Sequence, residues 1–215
     1  MRTLSKVLLS AAVLSGLALS SNAVLAATLD GAEKTHLVFM REEEKLARDV
    51  YITLGNMYPT ATVFASIDDS EQQHTTTVKS KLTKYGLPDP STSDAVGMFT
   101  GVDYGAYFTE KYNHLVTDGS NSELDALYAG AFIEELDMHD IVECPQAIMA
   151  LKGYPEGGCG MNYTDVTDLK NMYNSLVEGS KNHLRAYVGQ IEAVTGVPYV
   201  AQYLPQATVN QILGR

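Results

Sequence analysis

The stretch that constrains this chain most is Ser70-Glu71-Gln72-Gln73-His74. Phe64, Ile67, Val78, Leu82 and Tyr85 recur around it every three or four residues, with Glu71 and His74 filling the two places between. That spacing is one face of an α-helix. Residues at i and i+3 share a face, so Glu71 and His74 point inward with the apolar side chains. Burying an unpaired carboxylate costs several kcal/mol, so something must neutralise it. Three readings stay open from this segment alone: a hydrogen-bonded Glu–His pair in a core, a surface pair on a misplaced stripe, or a metal half-site. The last follows from the Glu-x-x-His spacing with which helix bundles offer ligands to paired iron or manganese ions.

Residues 1–26 read as a signal peptide. Arg2 and Lys6 form a basic start, an apolar run spans Val7 to Leu19, and Ser21-Asn22-Ala23 or Val24-Leu25-Ala26 suits cleavage. No later run is long and apolar enough to span a bilayer. The expectation is a mature chain, periplasmic or secreted, with residues 27–215 forming one domain; an uncleaved anchor is the alternative. Losing Arg2 and Lys6 would move the formal net charge from −11 to −13. Such a field repels nucleic acid and anionic membranes and suits cations. Cys144 and Cys159 are the only cysteines. In an exported chain the pair predicts a disulfide across a loop containing Pro145, Gly153, Pro155, Gly157 and Gly158.

Four long helices are predicted. The first, from Thr35 to about Met57, has Phe39, Met40, Leu46, Ala47, Val50, Tyr51 and Leu54 on one face and Glu42-Glu43-Glu44 within it. At about 100° per residue Glu43 falls nearest the stripe centre, Glu44 on its edge and Glu42 outside, leaving Glu43 and Glu44 both open as inward residues. The second runs from about Thr60 to Tyr85. A long connection over 86–103 follows, then a short helix from Tyr104 to Val116 carrying a surface His114, and a turn at Asp118-Gly119. Ser120-x-x-Glu123 predicts a capping box for the third helix. On its stripe of Leu124, Leu127, Tyr128, Ala131, Glu135, Met138 and Val142, Glu135 sits well inside, Glu134 and His139 lie at the edges, and Asp137 faces away. The fourth, about Thr164 to Thr195, aligns Leu169, Met172, Tyr173, Leu176, Ser180, His183, Tyr187, Ile191 and Val194. Tyr199 to Arg215 predicts a packed tail with a helical turn.

The halves overlie weakly: Glu43-Glu44 on Glu134-Glu135, and Glu71-x-x-His74 on Ser180-x-x-His183. Glu44, Glu71, His74, Glu135 and His183 thus approach the ligand scheme of a ferritin-like four-helix bundle, all-α and built from two helix pairs. Ser180 stands where the scheme needs its fourth carboxylate.

Four runs carry a resemblance to a known family: Met40-Arg41-Glu42-Glu43-Glu44-Lys45-Leu46-Ala47-Arg48-Asp49-Val50-Tyr51, Ser70-Glu71-Gln72-Gln73-His74, Ile133-Glu134-Glu135-Leu136-Asp137 and Gly179-Ser180-Lys181-Asn182-His183-Leu184-Arg185-Ala186-Tyr187. With Gln202-Tyr203-Leu204 near the end, they resemble the prokaryotic ferritin-like proteins grouped as domain of unknown function 2202, from about Thr35 onward. More distantly, Glu44 and Tyr51 with Ala47-Arg48 between are similar to the first helix of rubrerythrins, which favours Glu44 over Glu43. The resemblance implies a fold and a metal site rather than a reaction.

Three functions follow as expectations. One is a di-iron or di-manganese oxidoreductase acting on O2 or peroxide, another is iron or other metal storage without catalysis, and the third is a metal-free structural or interaction bundle. In the first two, Glu44, Glu71 and Glu135 supply carboxylates and His74 and His183 neutral imidazoles to one or two transition-metal ions. Asp49, Asp140 and Arg185 are candidates to hold the imidazoles. Glu134, Asn182 or water is available for the place Ser180 leaves, whereas Glu178 faces away. Tyr51, Tyr173 and Tyr187 fit core packing, with electron transfer as the alternative. The oligomeric state stays open, a homo-oligomer included.

Overall fold

The computed structural model describes residues 28–152 and 158–215, so the expected signal peptide lies outside the described residues. The described residues form α1 (Gly31–Met57), α2 (Val63–Lys84), α3 (Gly105–Gly119), α4 (Glu123–Val142), α5 (Gln146–Lys152), α6 (Thr167–Thr195) and α7 (Gln206–Leu213), with no strand among them. α1 packs along α2, and α4 along α6; α1 also meets α4 and α2 meets α6, while α3 lies against α1 and α4. The result is an all-α bundle whose paired helices enclose an apolar core.

Helix ends follow local chemistry. The Asp30 side chain accepts from Glu33 N and the Glu33 side chain from Asp30 N, both at 2.9 Å, a capping box that extends α1 upstream of the predicted start. The expected cap at Ser120 is corrected to Ser122, whose Oγ accepts from Asp125 N at 3.1 Å. Asp118 and Gly119 stay in the last turn of α3 instead of turning, which displaces the α4 cap by two residues. α6 ends where Gly196 takes a left-handed conformation, φ 70°. Cys144 and Cys159 form the expected disulfide. Residues 146–152, expected as loop, form α5; positions 153–157 of that stretch lie outside the described residues.

The main departure from a simple amphipathic bundle is α1, whose residues from Phe39 to Tyr51 are all buried, charged ones included. Buried charges must be paired, and the chain between α2 and α3 does this. Asp89 lies 3.1 Å from Arg41 Nε, and Gly101 N donates to Glu42 at 3.0 Å. Asp94 and Ala95 carbonyls accept from Arg48 and Lys45 at 3.2 and 2.9 Å, and Gly97 N donates to Asp49 at 2.9 Å. Lys45 and Arg48 also pair with Asp49 itself. The connection therefore serves as a cover over the polar side of α1. Glu42, outside the predicted stripe, is fully buried beneath it.

Candidate metal centre

Each of the four long helices contributes to one buried polar cluster. Glu44 comes from α1, Glu71 and His74 from α2, Glu134 from α4 and His183 from α6. His74 Nδ1 lies 3.1 Å from Glu71 Oε2 and 3.3 Å from Glu44 Oε2. His183 Nδ1 lies 2.7 Å from Glu71 Oε1 and 3.3 Å from Glu134 Oε1. The two imidazole rings stand 5.5 Å apart, centroid to centroid. Two groups of potential ligands result, Glu44–Glu71–His74 and Glu71–Glu134–His183, each with its ligand atoms within 4.8 Å of one another. They share Glu71, which gives one oxygen to each.

The structure thus brings together Glu44, Glu71, His74 and His183, and it separates Glu135 from them. Glu135 turns to the C-terminal segment, where its carboxylate accepts from Tyr199 OH (2.7 Å), Gln202 N (3.1 Å to either oxygen), Tyr203 N (2.7 Å) and Leu204 N (2.7 Å). Glu134 takes the inward place. Adjacent helical residues diverge by about 100°, and the tail covering one side of α4 decides between them. The same rotation turns Asp137, expected to face away, into the interior, where its Oδ2 accepts from Ser180 Oγ at 2.6 Å.

The groups beside the two imidazoles also differ from expectation. Asp49 serves the Lys45–Arg48 cover, Asp140 meets His139 Nδ1 at 2.7 Å, and Arg185 binds Ile212 O and Asn182. Ser70 instead pairs with His183 Nε2 at 2.9 Å, which points Nδ1 at the carboxylates. Tyr51 OH donates to Glu134 Oε1 at 2.6 Å. Tyr51, Phe64 and Tyr187 pack ring against ring beside it, all three fully buried. Glu178 is exposed and paired with Lys181, and His114 is exposed beside Asp118. Tyr173 lies elsewhere, hydrogen-bonded at 2.8 Å to His36, a buried histidine that no motif marked and whose other nitrogen meets Asp140 O. Ser70 was detectable as the residue before Glu71, whereas α4 is buried on every side and carries no signal that marks Glu134 or Asp137 as inward.

A glycine makes the close fit on α6. A Cβ at Gly179 would stand 2.5 Å from His74 Cε1 and Nε2, so only glycine lets the imidazole lie against that helix.

Charge in the cluster is set by burial and mutual contact. Burial pushes the Glu44 carboxyl up to about 7 despite His74, and burial likewise raises Glu134. Burial also opposes charge on Glu71, but His183 and His74 outweigh it and hold its carboxyl down at about 2. For the imidazoles burial disfavours the cation. Glu44 and Glu71 nevertheless push His74 up to about 12, and Glu134 and Glu71 push His183 up to about 10. Without a metal, protons on the imidazoles do the neutralising. A cation can replace them, because Glu44 Oε1 is buried without a hydrogen-bond partner and three carboxylates converge on the two Nδ1 atoms.

The model of an uncharacterized protein domain, DUF2202, matches residues 33–151 and 159–215. This chain belongs to that family. The uncharacterized protein MJ0754 of Methanocaldococcus jannaschii is 40% identical over 181 residues, spanning 84% of this chain and 86% of that protein. The crystal structure of hypothetical protein MJ0754 from Methanococcus jannaschii matches with a TM-score of 0.73 at 38% identity, covering 88% of this chain and 95% of that one. In this DUF2202 protein the donor set is carboxylate and imidazole, the chemistry that suits transition-metal ions. Its two buried Glu/His groups can hold one or two such ions.

Proposed function

We propose that this DUF2202 protein binds a pair of transition-metal ions, iron first and manganese second, in a ferritin-like four-helix arrangement. Glu44 and His74 would hold one ion, Glu134 and His183 the other, with Glu71 shared. The observation that carries the reading is the two-sided placement of Glu71, Oε2 toward His74 at 3.1 Å and Oε1 toward His183 at 2.7 Å. A shared carboxylate between two imidazole–carboxylate pairs is the pattern of paired-ion sites in helix bundles.

Such a pair would supply redox chemistry toward O2 or peroxide when bound. The chain's own residues bind and shield. Ser70 holds the direction of His183, Tyr51 fixes Glu134, and the wall of Tyr51, Phe64 and Tyr187 keeps water away. This enclosure favours an oxidoreductase over storage, which needs room for many ions. The disulfide supports export to an oxidising compartment, the periplasm or outside the cell.

Purified protein, loaded with ferrous iron under argon, should retain metal through gel filtration and then consume O2 or peroxide. Glu71→Ala and His74→Ala should abolish retention. Retained metal with no oxidant consumption would favour storage, and no retention by the wild type would refute the metal reading.

A further inference from the structure

A paired-ion site with the five ligands named above carries three carboxylates, so two divalent ions would leave it with net positive charge in a buried, low-dielectric place. The missing charge stands one turn along α4. Glu134 and Asp137 are at i, i+3 on that helix, as Ser180 and His183 are on α6, so each pair shares a face. His183 meets Glu134 at 3.3 Å, and one turn away Ser180 Oγ donates to Asp137 Oδ2 at 2.6 Å. Ser180 is fully buried and Asp137 is 4% exposed. Asp137 Oδ1 has no hydrogen-bond partner. The Ser180–Asp137 contact lies one turn from the Glu134–His183 contact on the same two helices, and burial, then the charges of Glu44, Glu71 and Glu134, push the Asp137 carboxyl well up.

We propose that Asp137, aimed by Ser180, is the fourth carboxylate ligand of the metal pair, delivered from α4 instead of α6. A Glu at position 180 would project from α6 into the volume that the Asp137 carboxylate now enters. The shorter serine vacates that volume and steadies Asp137 through one oxygen, leaving Oδ1 for an ion. Four carboxylates and two neutral imidazoles then balance two divalent ions.

The inference rests on the paired-ion reading, and the experiment separates the two. Wild-type protein, Asp137→Asn, Ser180→Ala and the exchange variant Asp137→Ala/Ser180→Glu are titrated with cobalt(II) under argon. Heat and the visible ligand-field spectrum are followed, and ferrous iron content is measured in parallel. Wild type should take two equivalents. Asp137→Asn should keep the first ion and bind the second at least about tenfold more weakly, with an altered cobalt spectrum. The exchange variant should recover the second. Two equivalents with wild-type isotherm and spectrum in Asp137→Asn would overturn the role of Asp137 alone. No cobalt or iron uptake by wild type would overturn the paired-ion reading and this inference with it. Should Asp137→Asn not fold, Ser180→Ala decides: a changed cobalt spectrum supports the proposal and an unchanged one overturns it.

Discussion

Glu135→Gln tests the division of roles between the adjacent acids of α4, Glu134 in the polar cluster and Glu135 on the tail. In the native chain the carboxylate receives the Tyr199 hydroxyl and the backbone amides of Gln202, Tyr203 and Leu204. Glutamine keeps one accepting oxygen and turns an NH2 toward donors that met the other, so up to two donors lose their acceptor: Tyr203 N and Leu204 N if the NH2 takes the Oε2 place, Tyr199 OH if it takes the Oε1 place. Hydrogen bonds to a charged group are worth about 1.5–3 kcal/mol each, giving about 3–6 kcal/mol as a ceiling. Gln202 and Tyr203 are exposed, so the freed amides regain water and the net cost falls to about 3 kcal/mol. That is roughly a hundredfold in the local opening equilibrium of the tail. Native-state hydrogen exchange should therefore show amides 202–204 and the α7 amides exchanging about a hundredfold faster, while iron content matches wild type. Loss of iron with tail protection unchanged would refute the assignment and return Glu135 to the ligand set.

Protonation should be linked to metal uptake. His74 and His183, raised to about 12 and about 10, are cations in the metal-free protein at pH 7, so loading should release about one proton per ion and tighten as pH rises. Titration calorimetry in buffers of different ionisation enthalpy measures this, and buffer-independent heats would contradict it. The same raised values stabilise the metal-free fold fully below the unfolded value near 6.5, a contribution lost as pH climbs through 10 and 12. The lowered Glu71 acts oppositely: its contribution is present above about 4.5 and lost toward 2. The metal-free melting temperature should accordingly fall on both the alkaline and the strongly acid side. Gly179→Ala should weaken cobalt binding at least about tenfold by displacing His74, and should lower the metal-free melting temperature because the displaced ring leaves Glu44 and Glu71 without their partner; wild-type affinity would show that the ring does not need that contact. Reducing Cys144–Cys159 should cost about 3 kcal/mol in denaturant melts, the entropy of a 15-residue loop, and leave bound iron in place.

The cluster residues readable in advance were those whose helix has one clear apolar face. Glu71 and His74 lie on such a stripe in α2, and His183 on another in α6, so spacing alone directs them inward. α4 has no such stripe. Leu127, Ala131, Ile133, Leu136 and Met138 surround it and are all buried, because α1, α3, α6 and the C-terminal tail cover it from several sides. With apolar residues around the whole circumference, no angular rule separates Glu134 from Glu135 or sends Asp137 inward. α1 presents the same difficulty, its charged side being buried by a connection whose course local sequence does not specify.

Sequence by itself therefore determined the four long helices, the disulfide partners and the inward Glu71, His74 and His183, since these follow from i, i+3 periodicity and from there being only two cysteines. Tertiary structure alone decided that Glu134 enters the cluster, that Glu135 clamps the tail, and that Asp137 meets Ser180. Each depends on which neighbour covers a given side of α4, a relation between segments distant in sequence that no local pattern encodes.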